Sequence, residues 1–361
     1  MANGISLYPG LDNKPLENLK LIEDAARAGL TRIFTSLQIP ESDTRALKAE
    51  LGTLLRTARE HHMEVISDVS PATRKLLGIR DFSLSAFRML GITTLRLDYG
   101  FSVDEIVRYS RNKQGIRIAL NASTLTGAAL SQLVEKKANF QNIEAIHNFY
   151  PRRGTGISEA SLVGQNIMLR RLGIETGAFV PSRRGRRRSP LGDGLPTLEA
   201  HRDAETEFAA RQLLAMNCDF VLIGDALPTK EELQGVGALP QREVVLAAKW
   251  HTADPVSRKL LENPFTSRID AARDAIRAQE SRKLLAAEGG TIAPEHAESR
   301  PIGAITLDNE GYGRYMGELQ IITHPQDADP RTNVVGQVDA DDLALIPYIT
   351  PGKKFSFRFH D

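Results

Sequence analysis

Eight short apolar runs recur along the first 240 residues, each followed by a stretch with helical spacing, and this alternation limits the chain to few folds. The runs are ISLY (5–8), RIFTSL (32–37), EVISDV (64–69), TLRLDY (94–99), RIALNA (117–122), EAIHNFY (144–150), ETGAFV (175–180) and DFVLIG (219–224). Each is rich in the branched and aromatic residues that suit strands. Between them, segments such as 15–29 place Leu16, Leu19, Ile22 and Ala26 on one stripe, as an amphipathic helix requires. Residues 44–62, 102–112 and 157–173 follow the same rule, with Ser42 or Asp43 as caps for the first and with Gly29 and Gly173 where helices should stop. Strand–helix alternation predicts a parallel sheet. Eight units in this length match a (β/α)8 TIM barrel. An open doubly wound sheet is the competing arrangement, but its nucleotide-binding forms carry a Gly-rich first turn, and YPGLDNKP is not one.

Beyond the eighth unit the texture changes. REVVLAAKWH (242–251) reads as a strand and residues 268–285 as a helix. From Arg300 onward GAITLDN, RYMGELQIIT, NVVGQVDA, LALIPYI and KFSFRF read as strands between Gly, Pro and Asn turns. Two domains are therefore expected in the 361 residues: a barrel over 1–240 and a small, mostly β domain over 241–361.

A TIM barrel keeps its chemistry at the C-terminal ends of its strands. Here those ends carry Tyr8, Ser36, Asp68, Asp98, Asn121, the group His147, Asn148 and Tyr150, then Ser182 and Asp225. Asp68 and Asp98 come from neighbouring strands, and Arg96 shares a strand face with Asp98. A carboxyl pair of this kind is what glycoside hydrolysis needs. A buried structural ion pair is the plainer reading. Asp225 ends the eighth strand, with a helix cap as the alternative reading. Arg152, Arg153, Arg183 and Arg184 follow the sixth and seventh strands, where an arginine fork can take a phosphate or a carboxylate. Arg186, Arg187 and Arg188 complete the run RRGRRR and read as a solvated loop. Tyr8, Tyr99, Phe149 and Tyr150 offer rings for sugar faces or for core packing.

A net charge of +1, with no aromatics interleaved in the basic run, argues against a nucleic-acid partner. No apolar run reaches the roughly 20 residues of a membrane helix. A single cysteine excludes an internal disulfide and suits a reducing cytoplasm, as does the absence of a signal-peptide pattern. His147 has no H-x-x-x-H or paired Cys beside it, so neither a metal nor another cofactor is expected.

The segments GISLYP, DVSP, LRLDYGF, LNAST, HNFYPRRGTGIS, GLPTLEAHR and SRPIGAITLDNEGYGRYMGEL occur in order from residue 4 to about 358. Together they resemble the bacterial 6-phospho-N-acetylmuramidase family. The resemblance implies a TIM barrel followed by a cyclophilin-like β-barrel. It also implies hydrolysis of the β-1,4 bond between N-acetylmuramic acid 6-phosphate and N-acetylglucosamine, in the cytoplasm, on cell-wall fragments phosphorylated during import. Such a substrate carries a phosphate and a lactyl carboxylate. On this reading Asp68 and Asp98 are the catalytic pair. Tyr8, Ser36, Arg96, Asn121, His147, Asn148, Tyr150, Arg152, Ser182 and Arg183 bind substrate, with Arg300 and Asn309 added from the second domain. The partner is a small phosphorylated amino-sugar disaccharide; a homo-oligomer is compatible with everything above. Another phosphosugar enzyme on the same barrel, or a non-catalytic sugar-binding protein, stays open. A Schiff-base aldolase would want a lysine at a strand end, and none of the eight carries one.

Overall fold

The computed structural model describes residues 3–36, 44–70, 73 and 83–361, so the expected caps Ser42 and Asp43 lie outside the described residues. The chain divides into two compact units, Met1–Gln241 and Arg242–Asp361.

The first unit is a TIM barrel. Eight parallel strands, β1 (Gly4–Leu7), β2 (Arg32–Ser36), β3 (Glu64–Val69), β4 (Thr94–Leu97), β5 (Arg117–Asn121), β6 (Ile143–Ile146), β7 (Glu175–Val180) and β8 (Phe220–Ile223), pair in sequence order. Closure comes from β1 against β8, with Gly4 opposite Leu222 and Ile5 opposite Ile223. The described helices are α1 (Pro15–Arg27), α2 (Thr44–Glu60), α3 (Leu84–Leu90), α4 (Val103–Ser110), α5 (Gly127–Glu135), α6 (Glu159–Arg170), α7 (Thr206–Ala215) and α8 (Lys230–Gly237). Local chemistry sets several starts. Ser102 with Glu105 and Thr229 with Glu232 form reciprocal capping boxes at α4 and α8, while Ser158 and Thr126 cap α6 and α5. Gly29 and Gly173 take positive φ just past α1 and α6.

Period-2 alternation decides what fills the barrel. On β2, Arg32, Phe34 and Ser36 share a face from floor to mouth. Phe34, Ile66, Ala119, Ile146, Phe179, Phe220 and Leu222 pack the middle as one buried cluster, with Tyr8 and Leu195. Gly177 is required there: a Cβ would stand 2.1 Å from the Phe220 ring. At the floor, Glu144 is fully buried, with Arg32 at 3.1 Å and Arg117 at 3.5 Å.

The second unit is a seven-stranded mixed sheet. Its strands are β9 (Glu243–Trp250), β10 (Phe265–Thr266), β11 (Ala275–Arg277), β12 (Ala304–Asp308), β13 (Leu319–Ile322), β14 (Thr332–Val338) and β15 (Lys354–His360), in the order β10-β15-β9-β14-β12-β13-β11. The sheet curls, and one isolated bridge, Ser267 to Ala278, joins the two edge regions. Helices α9 (Pro255–Leu261) and α10 (Ser281–Ala287) accompany it. Two sequence expectations fail here. Residues 268–285 are not one helix. Asp270 is claimed by Arg268 and Arg277, Asp274 by Arg273, and Ala275–Arg277 pairs with β13, leaving only the last stretch helical. LALIPYI is not a strand either. It lies in 3₁₀ turns over Ala340–Tyr348, where Pro347 has no N–H for a ladder and Asp342 accepts the Ala247 N–H.

Candidate active site

Neighbouring register brings the charged groups of the barrel mouth together. Asp68 on β3 lies opposite Arg96 on β4, and Ser36 on β2 lies opposite Asp68. One guanidinium nitrogen, Arg96 Nη1, donates to Asp68 Oδ1 at 2.8 Å and to Asp98 Oδ1 at 3.3 Å. The two carboxylate oxygens are thus no further apart than those distances laid end to end, about 6.1 Å. Arg96 Nη2 donates to Asn148 Oδ1 and, at 3.4 Å, to the Ile146 carbonyl. Asn121 Nδ2 donates to Asp98 at 3.4 Å. Asp68, Arg96, Asp98, Asn121 and Asn148 therefore form one network across β3 to β6. The Asp68 side chain keeps 12% of its surface and that of Asp98 keeps 26%, so Asp98 is the more accessible acid. Beside Asp98 a cleft of about 210 Å3 opens, bordered by Tyr99, Phe101, Asn121 and Thr124, and the Tyr99 ring is exposed.

His147 stands behind this network. Asn166 Nδ2 donates to the Met216 carbonyl, so its Oδ1 accepts from His147 Nε2–H at 3.0 Å. His147 Nδ1 then accepts from Ser123 Oγ at 3.2 Å, and Ser123 Oγ accepts the Asn148 N–H at 3.0 Å. Burial, with the Arg96 charge adding to it, pushes the imidazole down to about 4 against the Asn166 bond. The fully buried His147 thus fixes the hydrogen-bond chain that presents Asn148 to Arg96.

The other expected residues differ in burial and in partners. Tyr8 is buried and its hydroxyl donates to the Gly224 carbonyl at 2.7 Å. Ser36 is buried beside Asp68. Tyr150 is half-buried, while Arg152 and Arg183 are exposed. Ser182 is fully buried: its hydroxyl donates to Glu232 at 2.7 Å and accepts the Gly185 N–H at 2.9 Å. Asp225 is fully buried and accepts the N–H groups of Ser182 and Arg188. Burial raises its carboxyl, against the pull of those two N–H groups. Arg300 and Asn309 belong to the second unit. There Arg300 donates to the Asp327 carbonyl, and the buried Asn309 bonds the Pro330 carbonyl, Asn333 and the Gly311 N–H. Among the described residues no group of three or more His, Cys, Asp or Glu is placed to hold a metal.

With the geometry in place, similarity to known proteins becomes informative. The N-terminal model of the 6-phospho-N-acetylmuramidase family matches residues 3–238, and the C-terminal model matches residues 244–358. The chain belongs to this family. The family is named for a glycoside hydrolase activity. The structure of an uncharacterized B. cereus protein is 30% identical, covers 99% of each chain and gives a TM-score of 0.81. That of a conserved Enterococcus faecalis protein of unknown function is 32% identical, covers 100% of this chain and 97% of that one, and gives 0.65. No curated protein matches.

Several residues that hold the mouth of this muramidase family member escaped sequence reasoning. Glu199 receives the Gly154 and Gly156 N–H groups, each at 2.8 Å, and pairs with the buried Arg202 at 2.6 Å. The Arg202 bond, opposed by burial, holds Glu199 down to about 2. Arg202 also reaches the carbonyls of Tyr150 and Arg152. That explains why GTG sits after the sixth strand, since a Cβ on Gly156 would stand 2.5 Å from the Glu199 nitrogen. Glu232 plays the same part after β7, accepting from Ser182, Thr206 and the N–H groups of Arg183, Arg184 and Thr229. Burial opposes its ionisation, but these donors prevail and hold it below the ordinary value. The Thr229–Glu232 spacing was a readable signal for a cap, but not for this second duty.

Proposed function

We propose that this protein hydrolyses the β-1,4 bond between N-acetylmuramic acid 6-phosphate and N-acetylglucosamine, in the cytoplasm, during recycling of cell-wall fragments. The observation that carries the reading is the pair Asp68 and Asp98 sharing Arg96 at the barrel mouth. Family membership supports the substrate class. A phosphorylated disaccharide does not cross a bilayer unaided, which supports the compartment.

Exposure supports a division of labour between the two acids. Asp68 is the more buried acid, held by Arg96 at 2.8 Å, and orients the acetamide N–H of the muramyl ring. Asp98 is the more exposed of the two and takes the general-acid role. It protonates the bridging oxygen as the C1–O bond breaks, and the acetamide oxygen closes on C1 from the opposite face. Water then adds to C1, its proton returns to Asp98, and the acetamide ring reopens. Two inversions give net retention. The Oδ1 atoms that share Arg96 Nη1 lie no more than about 6.1 Å apart, which supports both acids acting on one sugar ring. Tyr99, exposed beside Asp98, offers a ring for a sugar face.

The test compares release of N-acetylglucosamine from phosphorylated and plain muramyl disaccharide by wild type, Asp98→Asn and Asp68→Asn. On the natural substrate both variants should fall by about 10²–10⁴-fold. On an aryl glycoside whose leaving group needs no proton, Asp98→Asn should recover and Asp68→Asn should not. No release by the wild type, or full activity in both variants, refutes the reading.

A further inference from the structure

Four of the five arginines in RRGRRR have found acceptors within the fold. Arg183 lies 3.9 Å from Asp203, Arg184 3.1 Å from Glu205, and Arg186 makes a two-pronged pair with Glu17 at 2.9 and 3.0 Å. Arg187 bonds the carbonyls of Ser182 and Arg202. Arg188 differs from all of them. It is 9% exposed, its Nε is buried without a hydrogen bond, and its guanidinium has no hydrogen-bond or ion-pair partner among the described residues. The guanidinium lies over two rings at once, 5.1 Å from the centroid of Tyr8 and 5.1 Å from that of Phe149.

Those rings locate it. Phe149 packs edge-on against Phe34 and Phe179, the aromatic plug of the barrel, at 6.1 and 5.0 Å. The Tyr8 phenol, raised mainly by burial, feels the charges of Arg188, Asp225 and Asp68 together. Arg188 therefore shares the mouth with the catalytic pair. Its backbone is fixed, since its N–H donates to Asp225 Oδ1 at 3.0 Å. A desolvated cation without a counter-charge is unfavourable, and aromatic faces offset only part of that cost. A planar fork on a fixed backbone, with no partner among the described residues, is ready to take an oxyanion two-pronged.

We infer that Arg188 is the specificity-determining anion ligand of the site, binding an oxyanion of the substrate, either the 6-phosphate or the lactyl carboxylate. This rests on the glycosidase reading above for the identity of the sugar, but not for the presence of the anion site.

The experiment uses the full chain and two variants, Arg188→Met and Arg188→Lys. Binding of N-acetylmuramic acid 6-phosphate, N-acetylmuramic acid and N-acetylglucosamine 6-phosphate is measured by calorimetry, with thermal melts to verify folding. Arg188→Met should lose roughly 10- to 100-fold in affinity for the doubly anionic sugar, and Arg188→Lys should recover part of it. If the loss persists with N-acetylglucosamine 6-phosphate and vanishes with N-acetylmuramic acid, the anion is the phosphate; the reverse pattern assigns the lactyl carboxylate. Equal loss for all three sugars, or no loss for any, makes Arg188 a packing residue and overturns the inference. If the wild type binds none of the sugars, the functional reading fails, and inorganic phosphate then probes Arg188 alone. A phosphate-dependent rise in melting temperature that Arg188→Met abolishes upholds the anion site; no rise in the wild type ends it.

Discussion

The two ends of the barrel both carry arginines between carboxylates, yet they are built for opposite purposes. At the floor Glu144 lies between Arg32 and Arg117, and the chain of charges runs on to Glu64 at 3.1 Å from Arg32 and Glu175 at 3.2 Å from Arg117. Every one of these side chains meets an opposite charge, and Arg32 also covers the Phe220 ring. At the mouth one arginine, Arg96, serves two aspartates, the outer of them partly open to water, while Arg188 has no partner among the described residues. A charge network in which each side chain meets its opposite contributes to the fold. The mouth instead keeps an acid partly open to water and a cation with no partner among the described residues. This is the division between the bottom and the top of a TIM barrel.

The largest expected effect comes from damaging each end in turn. Asp98→Asn should cost about 10²–10⁴-fold in turnover and leave the melting curve nearly where it was. Glu144→Ala should do the converse: it leaves Arg32 buried with only the rim carboxylate of Glu64, which costs about 3–5 kcal/mol. The folded fraction should keep its kcat. Denaturant melts paired with turnover per folded molecule read both. If the floor variant loses kcat while the mouth variant loses stability, the two ends have been assigned the wrong way round.

His147 ties the mouth to stability through pH, and its sign can be worked out. Its folded pKa is about 4, below the unfolded 6.5, so the folded state binds the proton less readily. The stability this implies is fully present above pH 6.5 and is lost as pH falls through 4, by about 3 kcal/mol in total. His147→Gln should flatten the part of the acid limb between those two values in a pH series of denaturant melts. An unchanged slope would mean that His147 keeps an ordinary titration despite its burial. The buried His201, shifted in the same direction, contributes its own share, so the difference between variant and wild type is the quantity to compare.

What the sequence made legible follows from period. Alternation in the eight runs reveals the barrel, and a strand end is recognisable wherever an apolar run meets Asp68, Asp98 or Asn148. Arg96 could be placed on the face of Asp98 by counting two residues. Its shorter bond, to Asp68, depends on register between β3 and β4, which counting along one strand does not provide. In RRGRRR the failure has the same root. What separates Arg188 from Arg186 is not local, because Arg186 meets Glu17 from 169 positions away while the Arg188 guanidinium meets no carboxylate among the described residues. Ser182 read as an open hydroxyl for the same reason: its acceptor, Glu232, lies 50 residues on. In the second unit Asp270 and Asp274 defeated a helical pattern by capturing neighbouring arginines.

The smallest expected effect is also the control on which the Arg188 inference depends. Arg186 stands two residues from Arg188, in the same basic run and with the same charge. Its fork is occupied by the Glu17 carboxylate, which the Arg186 bond first and the Lys14 N–H next hold down to about 2. The pair is partly exposed at the surface, and such pairs contribute little to stability. Arg186→Gln removes one positive charge from the loop, just as Arg188→Met does. If the run acts only as a diffuse positive field, the two variants should weaken sugar binding alike, and both effects should shrink as salt is raised. If a fixed, unpaired fork is what matters, Arg186→Gln should bind the phosphorylated sugar as the wild type does at every ionic strength. Calorimetric titrations of both variants at low and high salt decide between a charged loop and a single placed residue.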